Sequence, residues 1–511
     1  MAQADVIYTA KREDIRAFLW LLCYSFILLL CLSPDSYLYD LYYHLDTAVF
    51  YMCGKAWMNG LVPYVDFTDS KGPLLWLIYG IGYLMSRHSY VGVFWISVLF
   101  YAVTLFAAYK LCRLYADKAA ATVATALLPF IMFCYAYHFE VRAEDYCYPF
   151  VMLSLYSTCR ILKDSDCDGR TYFRLSALMG VCSMCCVMIK YNAGVMIMSL
   201  MAVVFYMSVR HKAGIRCLAG MAIGFVATAL PIIICFIVYG NMGAFIHEYF
   251  FHTIFFIANN VMQGTAAYSA VGILLSVILL AGVVWCGSRL MKSYWIVPCF
   301  VFFVLCLGKG HWLHYYTILL PFGIFMTLAA ADFAVSKVAW LRRHTAVVCA
   351  LAAIVTVGMN LSLFVARRTT FNDEARQNYY TAAYIMSQVE KPTIMYNGLE
   401  HGLGIPAGSL PACKYWMMQW GATDDVVSEA RGYVERGVPD FICLDNPNDE
   451  QQKMVERLGY VLYCKAPIYF TMHIDHGTAA WLYGRPGLRM PPSDFHVSQW
   501  DVWLKRNIFG I

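Results

Sequence analysis

The sequence predicts a polytopic α-helical membrane protein with a small α/β domain at its C-terminal end. The 511-residue chain is 60% hydrophobic and only 14% charged, whereas soluble domains carry about 25% charged residues. Its apolar residues also fall into runs close to the roughly 20 residues that a helix needs to cross a bilayer. The C-terminal part lacks such runs and regains polar residues, which indicates a domain outside the membrane.

The apolar runs lie within residues 1–366 and predict about eleven spans. They fall at about 17–33, 91–112, 119–136, 147–162, 175–190, 191–209, 215–239, 268–287, 294–308, 313–331 and 345–366. The first run follows a basic N-terminal segment but lacks a clear small-residue cleavage site. We therefore predict a retained helix rather than a signal peptide.

Basic residues cluster at every second connection and predict the orientation. The clusters are Lys11/Arg12/Arg16, Lys110/Arg113/Lys118, Arg160/Lys163/Arg170/Arg174, Arg210/Lys212/Arg216, Arg289/Lys292 and Lys337/Arg342/Arg343. Cytoplasmic loops carry the excess of Lys and Arg in membrane proteins, so we expect a cytoplasmic N-terminus. An odd number of spans then places residues 367–511 on the outer side, where the pair Arg367 and Arg368 is an exception.

Residues 367–511 form the second predicted domain. Short β-like runs such as Thr393–Tyr396 and Phe441–Leu444 alternate there with helix-like runs such as Asp424–Arg436. This alternation predicts a small α/β domain.

Overall charge and cysteine usage exclude some classes of function. The formal net charge is +5, and the basic residues are scattered between apolar blocks, so no nucleic-acid surface is expected. Cys182 and Cys185 lack a second pair with ligand spacing, which favours helix contacts over zinc. A disulfide between two of the cysteines in the polar domain is left open by the sequence. These cysteines are Cys413, Cys443 and Cys464.

The first predicted outer loop, about 34–90, holds the densest group of residues able to do chemistry. Asp46 lies near its start, and the segment 60–74 follows. The polar members of that segment include Tyr64, Asp66, Asp69 and Lys71. A solvated loop with helix caps is the alternative interpretation. Apolar flanks, however, hold these acids near the bilayer, where charged groups are costly and usually functional.

Asp46 followed by Gly-x-x-Pro-Tyr-x-Asp-x-x-Asp-x-Lys-Gly-Pro-Leu at residues 60–74 resembles the first outer loop of the GT-C glycosyltransferases. Within that superfamily the pattern is most similar to bacterial polytopic sugar transferases with Lys-Gly-Pro-Leu or Lys-Pro-Pro-Leu. The aminoarabinose transferase acting on lipid A and the protein O-mannosyltransferases are more distantly similar. The likeness covers the arrangement of residues 1–366, with motifs at 46–75 and 138–150.

The resemblance implies a GT-C-like transmembrane catalytic domain at 1–366 and an extracytoplasmic domain at 367–511. It implies an inverting glycosyltransferase that takes a sugar from a polyprenyl-phosphate donor. The acceptor would be a glycan, lipid or protein of the cell envelope, at the outer face of a bacterial inner membrane. The expected partners are this donor, the acceptor and membrane lipid, with no nucleic acid.

The resemblance also implies roles for residues of the first loop. Asp46 matches the general base, a task that suits a carboxylate, although the family's usual Asp-Glu pair reads Asp46-Thr47 and Asp40 is an alternative. Lys71 matches the lysine that contacts the lipid phosphate, with snorkelling to headgroups as the alternative. The other members of the motif that we expect to bind substrate are Tyr64, Asp66 and Asp69.

Further candidates come from three later segments. At the start of the fourth span, the resemblance implies that Glu144, with the adjacent Asp145 as the alternative, orients the acceptor or donor sugar. Acids at a helix N-terminus are the alternative interpretation. Arg142 would bind phosphate or neutralise these acids. Lys190 is a second phosphate candidate, again with snorkelling as the alternative. His314 lies in a stretch that resembles the family's His-Tyr-Tyr, and we expect it to hydrogen-bond phosphate or sugar.

No cofactor is expected to be required, and a divalent cation between Asp66 and Asp69 is left open. The competing functions are a transporter or flippase of lipid-linked intermediates and a non-catalytic assembly protein. The long acidic outer loop, the extramembrane domain and the lack of matched Gly/Pro-broken spans favour the transferase over the transporter. The third loop, about 240–267, carries His247 and Glu248 among aromatics and is interpreted as a lipid-interface segment.

Overall fold

A computed structural model shows a long helical bundle with a small mixed α/β domain at its C-terminal end. The structure describes residues 2–38, 45–133, 142–164, 167–252, 266–307, 313–368, 373–397, 402–417, 424–467 and 479–497. The fold class predicted from the sequence is confirmed.

Fifteen described helices make up the bundle. They are α1 Ala2–Leu32, α2 Leu45–Met58, α3 Pro73–Met85, α4 Val91–Tyr115, α5 Lys118–Phe133, α6 Ala143–Lys163, α7 Gly169–Ile189, α8 Tyr191–Arg210, α9 Gly214–Val238, α10 Met242–Phe245, α11 Ala266–Cys286, α12 Ile296–Cys306, α13 Gly323–Lys337, α14 Ala339–Arg343 and α15 Thr345–Arg368. Two π-helical segments, Ile246–His252 and Gly287–Met291, and the 3₁₀ helix Leu313–Phe322 complete this part.

Within the described part of the chain, seven helical stretches are long and apolar enough to cross a membrane. They are Arg12–Leu32, Val91–Tyr115, Gly169–Ile189, Tyr191–Arg210, Gly214–Val238, Ala270–Met291 and His314–Lys337. The remaining predicted spans fall on α5, α6, α12 and α15, so the described part of each apolar run coincides with a helical segment. The run after Gly72 forms α3, with Pro73 in its first turn, where proline fits because the lost N–H has no helical partner.

Helices α7 and α9 pack with their backbones close together. A Cβ atom added at Gly180 would clash with the carbonyl oxygen of Met221, and one at Gly224 would clash with that of Ala177. Small residues permit such close packing where both helices are surrounded by apolar neighbours. The C-terminal end of α7 lies next to the site described below.

Three of the predicted basic clusters come together at one end of the bundle. Lys110 Nζ lies 2.8 Å from Asp14 Oδ2, and Arg342 pairs with Asp117. These pairs join the N-terminal helix, the α4–α5 connection and α14, whose basic residues the sequence assigned to one side. We refer to this part of the bundle as the basic end.

The C-terminal domain is built on a five-stranded sheet with the order β2-β1-β3-β5-β4. Its strands are β1 Thr393–Asn397, β2 Leu410–Pro411, β3 Phe441–Asp445, β4 Val461–Pro467 and β5 Ala479–Gly484, and its helices are α16 Asp373–Met386, α17 Asp424–Glu435 and α18 Asp449–Arg457. The pairs β2–β1 and β1–β3 are parallel, whereas β3–β5 and β5–β4 are antiparallel.

The sequence located the first and third strands and the helix between them. It left a disulfide open among Cys413, Cys443 and Cys464, but Cys413 and Cys464 carry free thiols in the structure, so none of the three possible pairs is bonded. The predicted domain boundary at 366/367 falls inside α15 and stays a prediction.

Candidate active site

The segment 60–74 of the first loop folds back towards the start of α2. Asp46 lies in the first turn of that helix. Asp46 is partly exposed and acts electrostatically on both Asp69 and Lys71. Residues 20 or more positions apart in the sequence are thereby brought to one place. The alternative base, Asp40, lies outside the described residues.

Asp66 holds a turn of this loop rather than facing the other charged groups. Its Oδ2 accepts a hydrogen bond of 2.7 Å from the backbone N–H of Val62, and its side chain is exposed. Asp69, by contrast, is 6% exposed. Within the described residues, no group of three or more His, Cys, Asp and Glu side chains is placed to hold a metal ion.

Tyr64 gives the loop its shape. Its backbone φ of 64° lies in the left-handed region, which is uncommon outside glycine and indicates local strain. The side chain is fully buried, and its hydroxyl donates to the carbonyl oxygen of Lys71 at 3.2 Å. The ring packs near those of Trp76, Phe236, Phe245 and Tyr249.

Asp69 and Lys71 form a short charged unit. Asp69 Oδ2 accepts the backbone N–H of Lys71 at 3.2 Å, and Lys71 Nζ donates to Ser70 Oγ at 2.9 Å. Burial raises the pKa of Asp69, and the nearby lysine offsets only part of this effect. For Lys71, burial acts to lower the pKa, but Asp69 and Asp46 raise it above its usual value. The lysine is therefore a permanent cation.

Gly72 places this unit against the end of α7. Its backbone N–H donates to the carbonyl oxygen of Ile189 at 3.0 Å, and a Cβ atom at Gly72 would clash with the carbonyl oxygen of Met188. Only glycine allows this approach. Since Lys190 follows Ile189 directly, the contact brings the two lysines to the same site.

Lys190 is the single residue between α7 and α8, with an extended backbone. Its Nζ pairs with Glu144, whose side chain is 3% exposed against 15% for the lysine. The same Nζ lies 4.4 Å from the centre of the Tyr315 ring. Lys190 thus points into the bundle, where breaking a buried pair is costly.

Arg142 and His314 complete the group of titratable residues. The backbone N–H of Arg142 donates to Asp145 Oδ2 at 2.8 Å, which caps the N-terminus of α6. His314 lies in the 3₁₀ helix Leu313–Phe322 and experiences the charges of Arg142, Lys190 and Lys71. Three cations therefore lie within electrostatic reach of this histidine.

Seven of the nine side chains that the sequence singled out lie in one cluster, which we call the charged cluster. Its members are Asp46, Asp69, Lys71, Arg142, Glu144, Lys190 and His314. Asp66 and Tyr64 instead shape the loop. The functional roles assigned to these residues stay predictions.

Sequence reasoning missed two tyrosines of this cluster. Tyr315 lies under Lys190 and acts electrostatically on Lys71, and Tyr191 lies within the electrostatic reach of both Lys71 and Tyr315. Each directly follows a predicted residue, since Tyr315 follows His314 and Tyr191 follows Lys190. Their position next to predicted site residues was the signal in the sequence that could have identified them.

Comparison with known proteins identifies the fold. The family model of dolichyl-phosphate-mannose-protein mannosyltransferases matches residues 70–239, which include Lys71, Glu144 and Lys190. ArnT from Cupriavidus metallidurans, solved with bound undecaprenyl phosphate, superimposes with a TM-score of 0.58 at 14% identity, over 93% of this chain and 98% of that chain. Its apo structure gives a TM-score of 0.59 at the same identity and coverage.

The chain has the GT-C fold. The resemblance inferred from the first-loop motif is thereby confirmed. A weaker likeness, with a TM-score of 0.48 and 12% identity over 96% of this chain and 75% of the other, is to the oligosaccharyltransferase AglB from Archaeoglobus fulgidus in complex with an inhibitory peptide and a dolichol-phosphate. No curated protein matches the sequence. The GT-C comparisons give no support to the transporter alternative.

Proposed function

We propose that the protein is an inverting glycosyltransferase that moves a sugar from a polyprenyl-phosphate donor to a glycan, lipid or protein acceptor. The observation that carries the proposal is that Asp46 acts electrostatically on Lys71, and that Lys71 and Lys190 both act on His314 in the charged cluster. A carboxylate beside paired cations suits a reaction that removes a proton and releases a phosphate. The undecaprenyl phosphate bound by ArnT, which shares the fold, supports a lipid-phosphate donor.

Asp46 is assigned as the general base. It accepts the proton of the acceptor nucleophile while that atom bonds to the anomeric carbon of the sugar. The bond between this carbon and the phosphate oxygen breaks, and the electron pair leaves with the polyprenyl phosphate. Attack in line with the breaking bond inverts the anomeric centre, and the site contributes by aligning the two substrates.

The cations stabilise the charge that develops on the departing phosphate. Lys71 is held charged by Asp69 and Asp46, and Lys190 is held in place by Glu144. With Arg142 these groups supply fixed positive charge in a site partly shielded from water, where such charge acts more strongly than in bulk solvent. The proposed reaction therefore requires no metal, and a divalent cation between Asp66 and Asp69 is the alternative.

We place the reaction at the outer face of a bacterial inner membrane. The C-terminal domain contacts the loop that carries Lys71, through the hydrogen bond from Thr68 N–H to the carbonyl oxygen of Lys414. The basic end involves other connections of the bundle and is assigned to the cytoplasm. A reporter that fluoresces only in the cytoplasm, fused after residue 511, should stay dark; a bright fusion would reverse the orientation.

A transfer assay tests the function. Purified protein in lipid nanodiscs is mixed with radiolabelled polyprenyl-phosphate sugars and an envelope extract that supplies glycan, lipid and protein acceptors. We expect label to move to one acceptor class, with the opposite anomeric configuration by NMR, and mass spectrometry of co-purified lipid should identify the donor. Absence of transfer from every donor, together with movement of lipid-linked sugar across liposomes, would contradict the proposal.

A further inference from the structure

The C-terminal domain reaches the charged cluster through Lys414. This residue lies in the segment between β2 and Met417, which pairs with β1. Its carbonyl oxygen accepts a 3.1 Å hydrogen bond from the backbone N–H of Thr68. Thr68 is buried and directly precedes Asp69, so a backbone contact ties the domain to the residue next to the charged unit.

The side chain of Lys414 is anchored on the bundle. Its Nζ lies 2.8 Å from Oε1 of Glu248, in the π-helical segment Ile246–His252. His247 and His252 place ring nitrogens 3.3 Å and 3.4 Å from the same carboxylate. Glu248 is 5% exposed, and a carboxylate buried to this degree is stable only with such partners.

The pair is ionised at ordinary pH. Burial acts to raise the pKa of Glu248, but hydrogen bonds from His252 and Lys414 and the charge of the lysine lower it to about 2. Burial also acts to lower the pKa of Lys414, whereas Glu248 raises it above its usual value. The contact is therefore a charge-assisted hydrogen bond, which is stronger than a neutral one.

The opposite side of the loop is held by the same π-helical segment. Tyr249, the neighbour of Glu248, donates its hydroxyl to the carbonyl oxygen of Val187 near the end of α7. Gly72 donates to the carbonyl oxygen of Ile189, two residues further on. Residues 68–72 are thus enclosed between Lys414 on one side and the end of α7 on the other.

We infer that the Thr68–Lys414–Glu248 bridge positions the Asp69–Lys71 unit, so that Lys414 is a positioning residue for transfer. This inference rests on the proposed function. The mechanism is geometric: the bridge contacts the loop one residue before Asp69, while Lys71 must reach the same phosphate as Lys190. A displacement of about 1 Å in such a group costs up to roughly 100-fold in rate.

Four variants in nanodiscs test the bridge. Lys414→Met removes the charge but keeps the length, and Glu248→Gln keeps the shape without the charge. Lys414→Arg conserves the pair. Lys453→Met is the matched control, because Lys453 is exposed on α18 of the same domain.

The first readout is hydrogen–deuterium exchange of peptides covering residues 59–72, which needs no substrate. Lys414→Met and Glu248→Gln should each exchange on the order of tenfold faster there. Lys414→Arg and Lys453→Met should match the wild type. A fifth protein that combines Lys414→Met with Glu248→Gln should exchange no faster than either single variant, since both substitutions remove the same contact. Unchanged exchange in the two folded single variants overturns the bridge.

The second readout separates positioning from mere loss of folded protein. At matched amounts of folded protein, Lys414→Met should raise the donor KM several-fold and lower kcat on the order of tenfold. Loss of folded protein alone would leave the donor KM unchanged, and that result, or wild-type kinetics despite faster exchange, overturns the positioning role. If wild-type protein transfers no sugar from any donor, the proposed function fails, and the exchange data still decide whether the bridge exists.

Discussion

The two ends of the helix bundle hold their charged residues in different ways. At the basic end, the side chains of Lys110 and Asp14 are 32% and 44% exposed, so water screens their pairing. At the other end, Lys190 and Glu144 are only 15% and 3% exposed. At both ends, opposite charges on different helices form pairs. Of the two pairs compared, only Lys190 and Glu144 are largely buried.

The difference separates charges used for orientation from charges used for chemistry. An exposed pair contributes about 0–1 kcal/mol to stability. Removing one partner of a pair at the basic end should therefore change the stability of the protein little. A buried pair is expensive to form and costs about 3–5 kcal/mol when one partner is removed. Buried charges near a membrane surface are therefore usually retained for a function.

The largest expected effect tests whether the buried end does chemistry. Asp46→Asn keeps the size of the side chain but cannot take a proton, so transfer should fall on the order of 100-fold or more. Initial rates at matched protein levels measure it. Asp14→Asn at the basic end is the control and should transfer sugar normally. If Asp46 only occupies a helix start, asparagine serves equally well, and near-normal turnover would move the base to Glu144 or Asp69.

The next effect compares the stabilities of the two ends directly. Glu144→Gln leaves the charge of Lys190 buried without its counter-charge and should cost about 3–5 kcal/mol. Asp14→Asn removes one partner of an exposed pair and should cost at most about 1 kcal/mol. Denaturant unfolding in matched micelles gives both values. Equal losses of unfolding free energy in the two variants would show that the two ends do not differ in how they hold their charges.

A smaller effect is expected on donor binding. Lys71→Ala removes a charged hydrogen-bond donor, worth about 1.5–3 kcal/mol, which corresponds to roughly tenfold to a hundredfold weaker binding of the lipid donor. Lys118→Ala, at the basic end and well exposed, should bind as the wild type does. Titration of polyprenyl phosphate into each purified protein measures this, and unchanged affinity in Lys71→Ala would rule out the phosphate role.

The smallest expected effect concerns the packing that joins the loop to α7. Gly72→Ala introduces a clash with Met188, and overpacking of this kind costs about 1–3 kcal/mol. Gly358→Ala in α15 has open space around the new methyl group and should be neutral or stabilising by up to about 1 kcal/mol. Thermal unfolding compares the two. A neutral Gly72→Ala would show that the close approach is not required.

The helices and most members of the charged cluster could be predicted from the sequence for physical reasons. Spans follow from the length of apolar runs, which depends on local sequence alone. The Lys-Gly-Pro motif also corresponds to local structure, since Gly72 is needed for the approach to α7 and Pro73 starts α3. Each of these features depends on a short stretch of neighbouring residues.

The pairings could not be predicted, because they join residues that are distant in the chain. Glu144 and Lys190 are 46 positions apart, and Glu248 and Lys414 are 166 apart. The sequence interpretation placed Glu248 in a lipid-interface segment, but its carboxylate is buried against the C-terminal domain. No motif marks Lys414, so only the folded chain reveals its partners.

The left-handed backbone of Tyr64 has a consequence for the order in which the protein assembles. Such a conformation costs about 1–3 kcal/mol unless its surroundings enforce it. The enforcing groups come from much later in the chain: the Phe236 and Phe245 rings lie 5.7 Å and 5.6 Å from the Tyr64 ring, and Asn241 donates to the Pro63 carbonyl at 2.7 Å. A nascent chain that has inserted its first helices therefore still lacks the groups that stabilise this turn. The first loop reaches its final shape only after α9 and α10 have been made and packed, so the site matures late in biogenesis although its residues are synthesised early.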